Sequence, residues 1–311
     1  MVVVQNKIWN SHEGNVVASE NGFDVIDCIG CRFKHVVPLP TEEELEHVYQ
    51  HEYYTQEKPL YLERYRQDLS WWNTVYIHRY ELLEKYLLST QRKILDIGSG
   101  PGYFLLSGKN RGWQVTGVEP SEQAALHSQQ LGLHVENIFF SEKSAPTLGR
   151  FDAINMGEVL EHLPRPEEML KLVHTQLNTG GLVCLIVPND FNPFQLILRD
   201  KMGFKPWWVA PPHHINYFDF KSLASLLDRC GFEVLHQEST FPIDMFLLMG
   251  ENYINNDAIG RECHSKRMIL EKNLFENGAG DLMTSLYSKL SELNLGREIV
   301  MIAKKIHEND K

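Results

Sequence analysis

The stretch "ILDIGSGPGYF" ends an apolar run in Asp96 and passes at once into Gly98, Gly100 and Gly102. A strand feeding a glycine turn lets its backbone approach a ligand closely, and the helix that follows offers its N-terminal N–H groups to the same ligand. The spacing narrows the choice. A dinucleotide fingerprint begun at Gly98 requires glycine or alanine at 103 for close helix packing, and Tyr103 stands there. A second apolar run, "WQVTGVE", ends in Glu119, whose carboxylate has only acceptors and can take two donors side by side. Farther along, "GEVLEHL" sets Glu158, Glu161 and His162 at spacings of three and four that share one helix face. That spacing serves either to stabilise a helix start or to ligate a metal. "PPHHINYF" holds His213 and His214 between a stiff Pro-Pro pair and an aromatic pair; neutral imidazoles accept protons near pH 7. Cys28 and Cys31 are the one closely spaced pair among five cysteines, an odd number that does not read as a disulfide framework.

Positioning these groups requires an α/β scaffold. "KILDI", "WQVTGVE", "FDAINM" and "GGLVCLIVP" are short apolar runs separated by helical stretches, the alternation of a parallel sheet covered on both faces. In an open sheet of this kind ligands bind beyond the carboxyl ends of the strands. Between Leu62 and Leu88, apolar and aromatic residues recur at three and four spacing, which predicts one or two amphipathic helices. Upstream, short β-like pieces precede a capping box at Thr41 and Glu44 that opens a short helix. The segment from Pro188 to Phe218 is far longer than an ordinary connection and reads as a lid, with Phe194, Trp207, Trp208 and Tyr217 as walls that exclude water. After "GFEVLHQEST" an insert of about fifty residues, whose spaced Leu, Met and Ile predict two or more helices, precedes "REIVMIAKK". Its Arg261, His264, Lys266 and Arg267 read as a solvated helix face, the alternative being a site for an anionic substrate such as a sugar nucleotide.

Composition excludes several classes. The chain has 311 residues, 43% hydrophobic and 23% charged, as in ordinary globular proteins. A net charge of -11 without a dense Lys/Arg stripe gives no field to attract a phosphate backbone, so no nucleic-acid partner is expected. No apolar run approaches the ~20 residues that cross a bilayer. "MVVVQNKIWNSHEGN" lacks the basic start and small-residue cleavage site of a signal peptide, so the expected location is cytoplasmic and no membrane partner is expected. Oligomeric state is not legible.

The D-x-G-x-G-x-G run, Glu119 at the end of the next strand, and "FDAINMGEVLEHL" at the right distance together resemble the class I S-adenosylmethionine-dependent methyltransferases. The resemblance covers roughly residues 24 to 238 and the last strand. It implies an α/β, Rossmann-like methyltransferase fold: a seven-stranded, mostly parallel sheet with an antiparallel last strand, plus a small N-terminal module and a C-terminal helical insertion. It implies S-adenosylmethionine as cofactor, held by Asp96, Gly98, Ser99, Gly100, Gly102 and Tyr103, with Glu119 on both ribose hydroxyls. Met156 and Glu158 are candidates for the wall beside the sulfonium; for Met156 core filling is the alternative. Some relatives bind a divalent ion through a similar Glu-Val-Leu-Glu-His run and many do not, and the expectation here is no metal.

"DVIDCIGCRFKHVV" is similar to the second half of a small zinc-binding module found in a branch that includes sugar C-methyltransferases and natural-product O-methyltransferases. That module carries two Cys-Xaa-Xaa-Cys pairs, and "IWNSHEGN" stands where the first should be. His12 and His35 are the only nearby imidazoles that could complete four ligands; the expectation is a degenerate, metal-free module. The expected organisation is thus a degenerate zinc-ribbon-like module over 1–60, a helical lid or linker over 61–90, and a cofactor-binding domain over 91–311 with a substrate lid at 189–220 and a helical insertion at 244–296. In the resembling branch a histidine at the position of His214 lies next to substrate, which implies His214 as general base and His213 as a substrate contact. The alternative is that one of them caps the helix near Asp219 or bonds within the lid. The expected reaction is methylation of an oxygen or carbon of a small metabolite, such as a sugar or natural-product intermediate. The rival readings are a catalytically silent cofactor-binding module and a nicotinamide dehydrogenase, the latter disfavoured by Tyr103.

Overall fold

The structure is a computed structural model that describes residues 6–41, 44 and 61–306. Seven strands form the main sheet: β5 (Lys93–Ile97), β6 (Gln114–Val118), β7 (Val135–Glu136), β8 (Phe151–Gly157), β9 (Leu177–Pro188), β11 (Phe232–Ser239) and β12 (Glu298–Lys305). Their order is β11-β12-β9-β8-β5-β6-β7. The five strands from β5 to β9 are mutually parallel, and β12 runs antiparallel to both β9 and β11. This is the expected sheet.

Strand alternation divides its apolar residues between two cores. Ile94, Leu182, Cys184, Ile186, Val300 and Ile302 pack against helices α2 (Leu69–Tyr86) and α3 (Tyr103–Asn110). Leu95, Val183, Leu185, Val187, Met301 and Ala303 face the other way, toward α6 (Pro166–Gln176) and α8 (Phe220–Arg229). With both faces covered, β9 is apolar and buried throughout from Leu182 to Pro188, which is why that run is continuous in the sequence. α4 (Glu122–Gln130) packs through Ala125 on Leu105 of α3, and α5 (Ala145–Leu148) joins the opposite core through Ala145.

The predicted helical stretch before the sheet comprises α1 (Tyr61–Gln67) and α2. The insert forms α9 (Asp244–Leu248), α10 (Asp257–Glu276) and α11 (Gly280–Glu292). The capping box is present as reciprocal bonds between Thr41 and Glu44, and the helix it was expected to open lies outside the described residues.

A second, antiparallel sheet joins β1 (Asn6–Trp9), β2 (His12–Glu20), β3 (Phe23–Cys28) and β4 (Lys34–Val37) to β10 (Asn216–Tyr217). The last of these comes from the segment expected to be the lid. That segment begins with α7 (Pro193–Met202), whose N-cap Asn192 accepts from Phe194 N and Gln195 N. It ends by pairing Asn216 with His35 and Tyr217 with Lys34. The segment is therefore anchored to the N-terminal sheet, and Trp207, Trp208 and Tyr217 pack there with Val25 and Val36; they and Phe194, expected as walls, do not line the cavity described below. Among the described residues, no helix is long and apolar enough to cross a membrane.

Candidate active site

At the carboxyl end of β5 the chain must turn sharply to enter α3, and glycine is required there. Gly98 has φ +71°, and a Cβ on it would lie 2.7 Å from the Val159 side chain. Gly102, φ +81°, precedes α3, where a Cβ would lie 2.6 Å from Ser128 Oγ. The turn brings the Gly100 N–H to Glu119 Oε2 at 2.8 Å, while Ser121 N–H donates to Oε1 at 2.9 Å. Glu119 is only 4% exposed, and burial pushes its carboxyl up to about 7 against the two N–H bonds that favour the ionised form. Asp96 lies beside it, also pushed up to about 7 by burial, and accepts from Asn155 Nδ2 at 2.7 Å. Ser99 Oγ and Asn155 Oδ1 are buried without a hydrogen-bond partner.

These groups line a cavity of about 850 Å³. Sequence reading placed Asp96, Gly98, Ser99, Gly100, Tyr103, Glu119 and Glu158 at the ligand, and all seven line it; Gly102 acts behind them, shaping the turn. Glu158 reaches it through a left-handed backbone, φ +55°, with its N–H donated to Ile186 O. Met156 does not line it. Alternation along β8 sends Asn155 and Gly157 to the cavity and Met156, fully buried, into the core with Ile154 and Leu185. The core-filling alternative is the one observed.

Other lining residues were read only as helix positions. Asp68, Trp72, Tyr76 and Arg79 recur at helical spacing and present one face of α2 to the cavity. Tyr65 stacks between Trp72 and Tyr103, with ring centroids 4.7 and 5.2 Å away. The basic cluster of the insert divides. Arg261 bonds to Asp68 and Lys266 to Glu251, whereas His264 and Arg267 line the cavity. Arg267 is 9% exposed, stacks over Trp71 at 4.4 Å, and its Nε has no hydrogen-bond partner. Arg79, 8% exposed, and Arg297 are also in the lining, as are the carboxylates Glu158 and Glu298.

Among the described residues, the imidazoles in the lining are His162 and His264. His213 and His214 are not in it, contrary to expectation. Their segment is held back by β10. Asn216 Nδ2 donates to Leu160 O and Leu163 O, and Ile215 N–H donates to Glu161 O, so the strap clamps the helical turn Leu160–His162 from behind. His214 packs edge-on against His162, with ring centroids 5.0 Å apart. His162 Nδ1 lies 2.7 Å from His213 O; a carbonyl only accepts, so Nδ1 carries the proton and Nε2 the lone pair. Glu161, buried beside it with Oε1 3.6 Å from Nε2, is held well above the usual carboxylate range by burial and by Glu158. Ligand atoms of Glu161, His162 and His214 all lie within 4.8 Å of one another, close enough to surround an ion.

A family model described as a methyltransferase domain matches residues 63–237, more than half of the chain. The chain belongs to the methyltransferase-domain family. The chain is 32% identical over 111 residues to the ubiquinone biosynthesis O-methyltransferase of Chromobacterium violaceum, a match spanning 34% of this chain and 48% of that one. It is 34% identical over 104 residues to the protein of the same name from Aeromonas salmonicida, covering 32% and 44%. The chain thus spans about half the length of the curated relatives it matches. Among solved structures, a SAM-dependent methyltransferase from Archaeoglobus fulgidus aligns over 79% of this chain and 98% of its own, at 20% identity and a TM-score of 0.49.

The cofactor that the resemblance of the sequence implies is S-adenosylmethionine, and the residues of the site suit it. Each Glu119 oxygen already accepts one N–H and keeps a lone pair for a hydroxyl donor. The Ser99 and Asn155 oxygens have acceptor capacity unused within the protein, and the glycine turn leaves no side chain between backbone and ligand.

Proposed function

We propose that this methyltransferase methylates an oxygen, or a carbon made acidic by its neighbours, on a small metabolite that carries an anionic group, such as a sugar derivative or natural-product intermediate. The observation that carries this reading is the single cavity in which the glycine turn and Glu119 meet His162 and the arginines Arg79, Arg267 and Arg297. The O-methyltransferase name of the relatives favours oxygen.

Glu119 would hold the ribose of the cofactor, and Asp96, Ser99, Gly100 and Asn155 its amino-acid end. When bound, S-adenosylmethionine supplies an electrophilic methyl group on a sulfonium. The protein aligns the acceptor and takes up its proton. His162, which lines the cavity, is the group assigned to that uptake: its Nδ1–H donates to His213 O, which puts the lone pair of the neutral ring on Nε2. His214, packed edge-on against that ring, is assigned to position it in place of the base role expected from the sequence. Trp72, Tyr65 and Tyr103 exclude water, which strengthens the fields of Glu158 and the arginines at the reacting centre. The expected location remains the cytoplasm.

The test is to incubate the protein with S-adenosylmethionine and panels of acidic and neutral acceptors and to measure S-adenosylhomocysteine. Turnover confined to neutral acceptors overturns the anionic assignment, and binding of cofactor with no turnover on any acceptor favours a silent module.

A further inference from the structure

The N-terminal sheet gathers a second constellation, independent of the cavity. β2 begins at His12, β3 ends at Cys28, the connection to β4 holds Cys31, and His35 lies in β4. Register brings them together: Gly14 pairs with Cys28, and Ile26 with His35. His12 Nδ1 lies 3.7 Å from Cys28 Sγ and 3.4 Å from Cys31 Sγ. The His12 and His35 rings meet at 4.6 Å, and one ligand atom from each of the four residues lies within 4.8 Å of all the others.

His35 is the informative member. Its Nδ1–H donates to Val36 O at 2.8 Å, which fixes the tautomer and leaves the lone pair on Nε2. That nitrogen is buried, on a side chain 1% exposed, and has no hydrogen-bond partner. A buried acceptor left this way costs free energy. A ring orientated by a carbonyl bond at one nitrogen with the other bare is the arrangement of a ligating histidine.

We propose that His12, Cys28, Cys31 and His35 bind one zinc ion. The donor set of two sulfurs and two imidazole nitrogens on a C-x-x-C frame suits tetrahedral zinc. With ordinary Zn–S and Zn–N bond lengths, a tetrahedral sulfur-to-nitrogen edge is about 3.6 Å, which the 3.4 and 3.7 Å separations bracket. This reading replaces the expectation of a metal-free module, because the two histidines take the places of the missing cysteine pair. The ion would be structural, four protein ligands leaving no open position, and its influence would be mechanical. His35 pairs with Asn216, and Asn216 holds the carbonyls that flank His162. The metal therefore tightens the strap that sets His162.

The full-length protein, purified without chelator, is expected to contain about one zinc per chain. Cobalt(II) titrated into metal-stripped protein should give the intense visible bands of a tetrahedral site and a thiolate-to-cobalt charge-transfer band. Cys31→Ser should lose both signals, whereas His12→Cys, which retains a ligand, should keep them. If Cys31→Ser does not fold, the cobalt spectrum of the unaltered protein still decides. Absence of both zinc and tetrahedral bands in that protein overturns the proposal. Retention of zinc with no sulfur charge-transfer band overturns it too, by moving the ion to oxygen and nitrogen donors elsewhere.

Discussion

The part of the cavity assigned to the cofactor comes from a short piece of chain, Asp96 to Gly102 with Glu119 at the next strand end, and relies on backbone groups and glycines. The part assigned to the acceptor is assembled from side chains on α1, α2, the turn after β8, the insert and the start of β12. The first region reuses one local geometry, so its ligand is recognisable wherever that geometry recurs. The second depends on which distant elements pack together, so it can change acceptor without touching the cofactor. The comparison predicts that substitutions in the two regions separate cleanly into cofactor affinity on one side and rate or acceptor affinity on the other.

The largest effect should come from His162→Ala, which is expected to lower the methyl-transfer rate by ~100-fold or more with cofactor affinity unchanged, since a general base contributes about 10²- to 10⁴-fold. The acid limb of the kcat/KM profile should vanish with it. His214→Ala should cost only about tenfold and keep a shifted limb, as a positioning residue does. If steady-state kinetics show the larger loss and the missing limb in His214→Ala instead, the base is His214 and the strap must move in the working complex.

Next is Glu119→Ala, which removes two charge-assisted hydrogen bonds and should weaken cofactor binding by about 2 to 4 kcal/mol. Calorimetry that finds unchanged affinity removes the ribose role and blurs the division between the two regions. Arg267→Leu should raise KM for an acidic acceptor by about tenfold, leaving neutral acceptors and cofactor Kd unchanged. An equal effect on both acceptor types would make the residue a packing element over Trp71.

The smallest effect is in pH. Burial raises Glu119 from 4.5 to about 7, and ribose hydroxyls donate to the ionised form, so cofactor affinity should rise a few-fold as pH increases through about 7 and then level off. Glu119→Gln should lose that portion of the dependence. The same raised pKa, with that of Asp96, has the opposite sign for the cofactor-free fold. Both groups favour folding at low pH, and that contribution is lost as pH rises through about 7. Thermal unfolding of the apo protein at several pH values checks this; a melting temperature that climbs across that window contradicts it.

Sequence alone determined what neighbouring residues encode. Alternating apolar runs dictated a buried parallel sheet, Gly98 and Gly102 dictated a turn that tolerates no side chain, and Glu119 followed from its place at the end of β6. The helices of the insert were legible for the same reason, since periodicity is a local property. What only the tertiary structure decided is where side chains point once distant elements pack. Met156 falls to the core because β8 presents Asn155 to the cavity, and Arg267 leaves the solvated face it seemed to share with Lys266 because α10 lies over α2. The pairing of β10 with β4, across nearly two hundred residues, left His162 rather than His214 in the lining of the cavity and set His35 opposite Asn216. Strand pairing over such a separation is fixed by the burial of whole faces, and no short stretch of sequence carries that information.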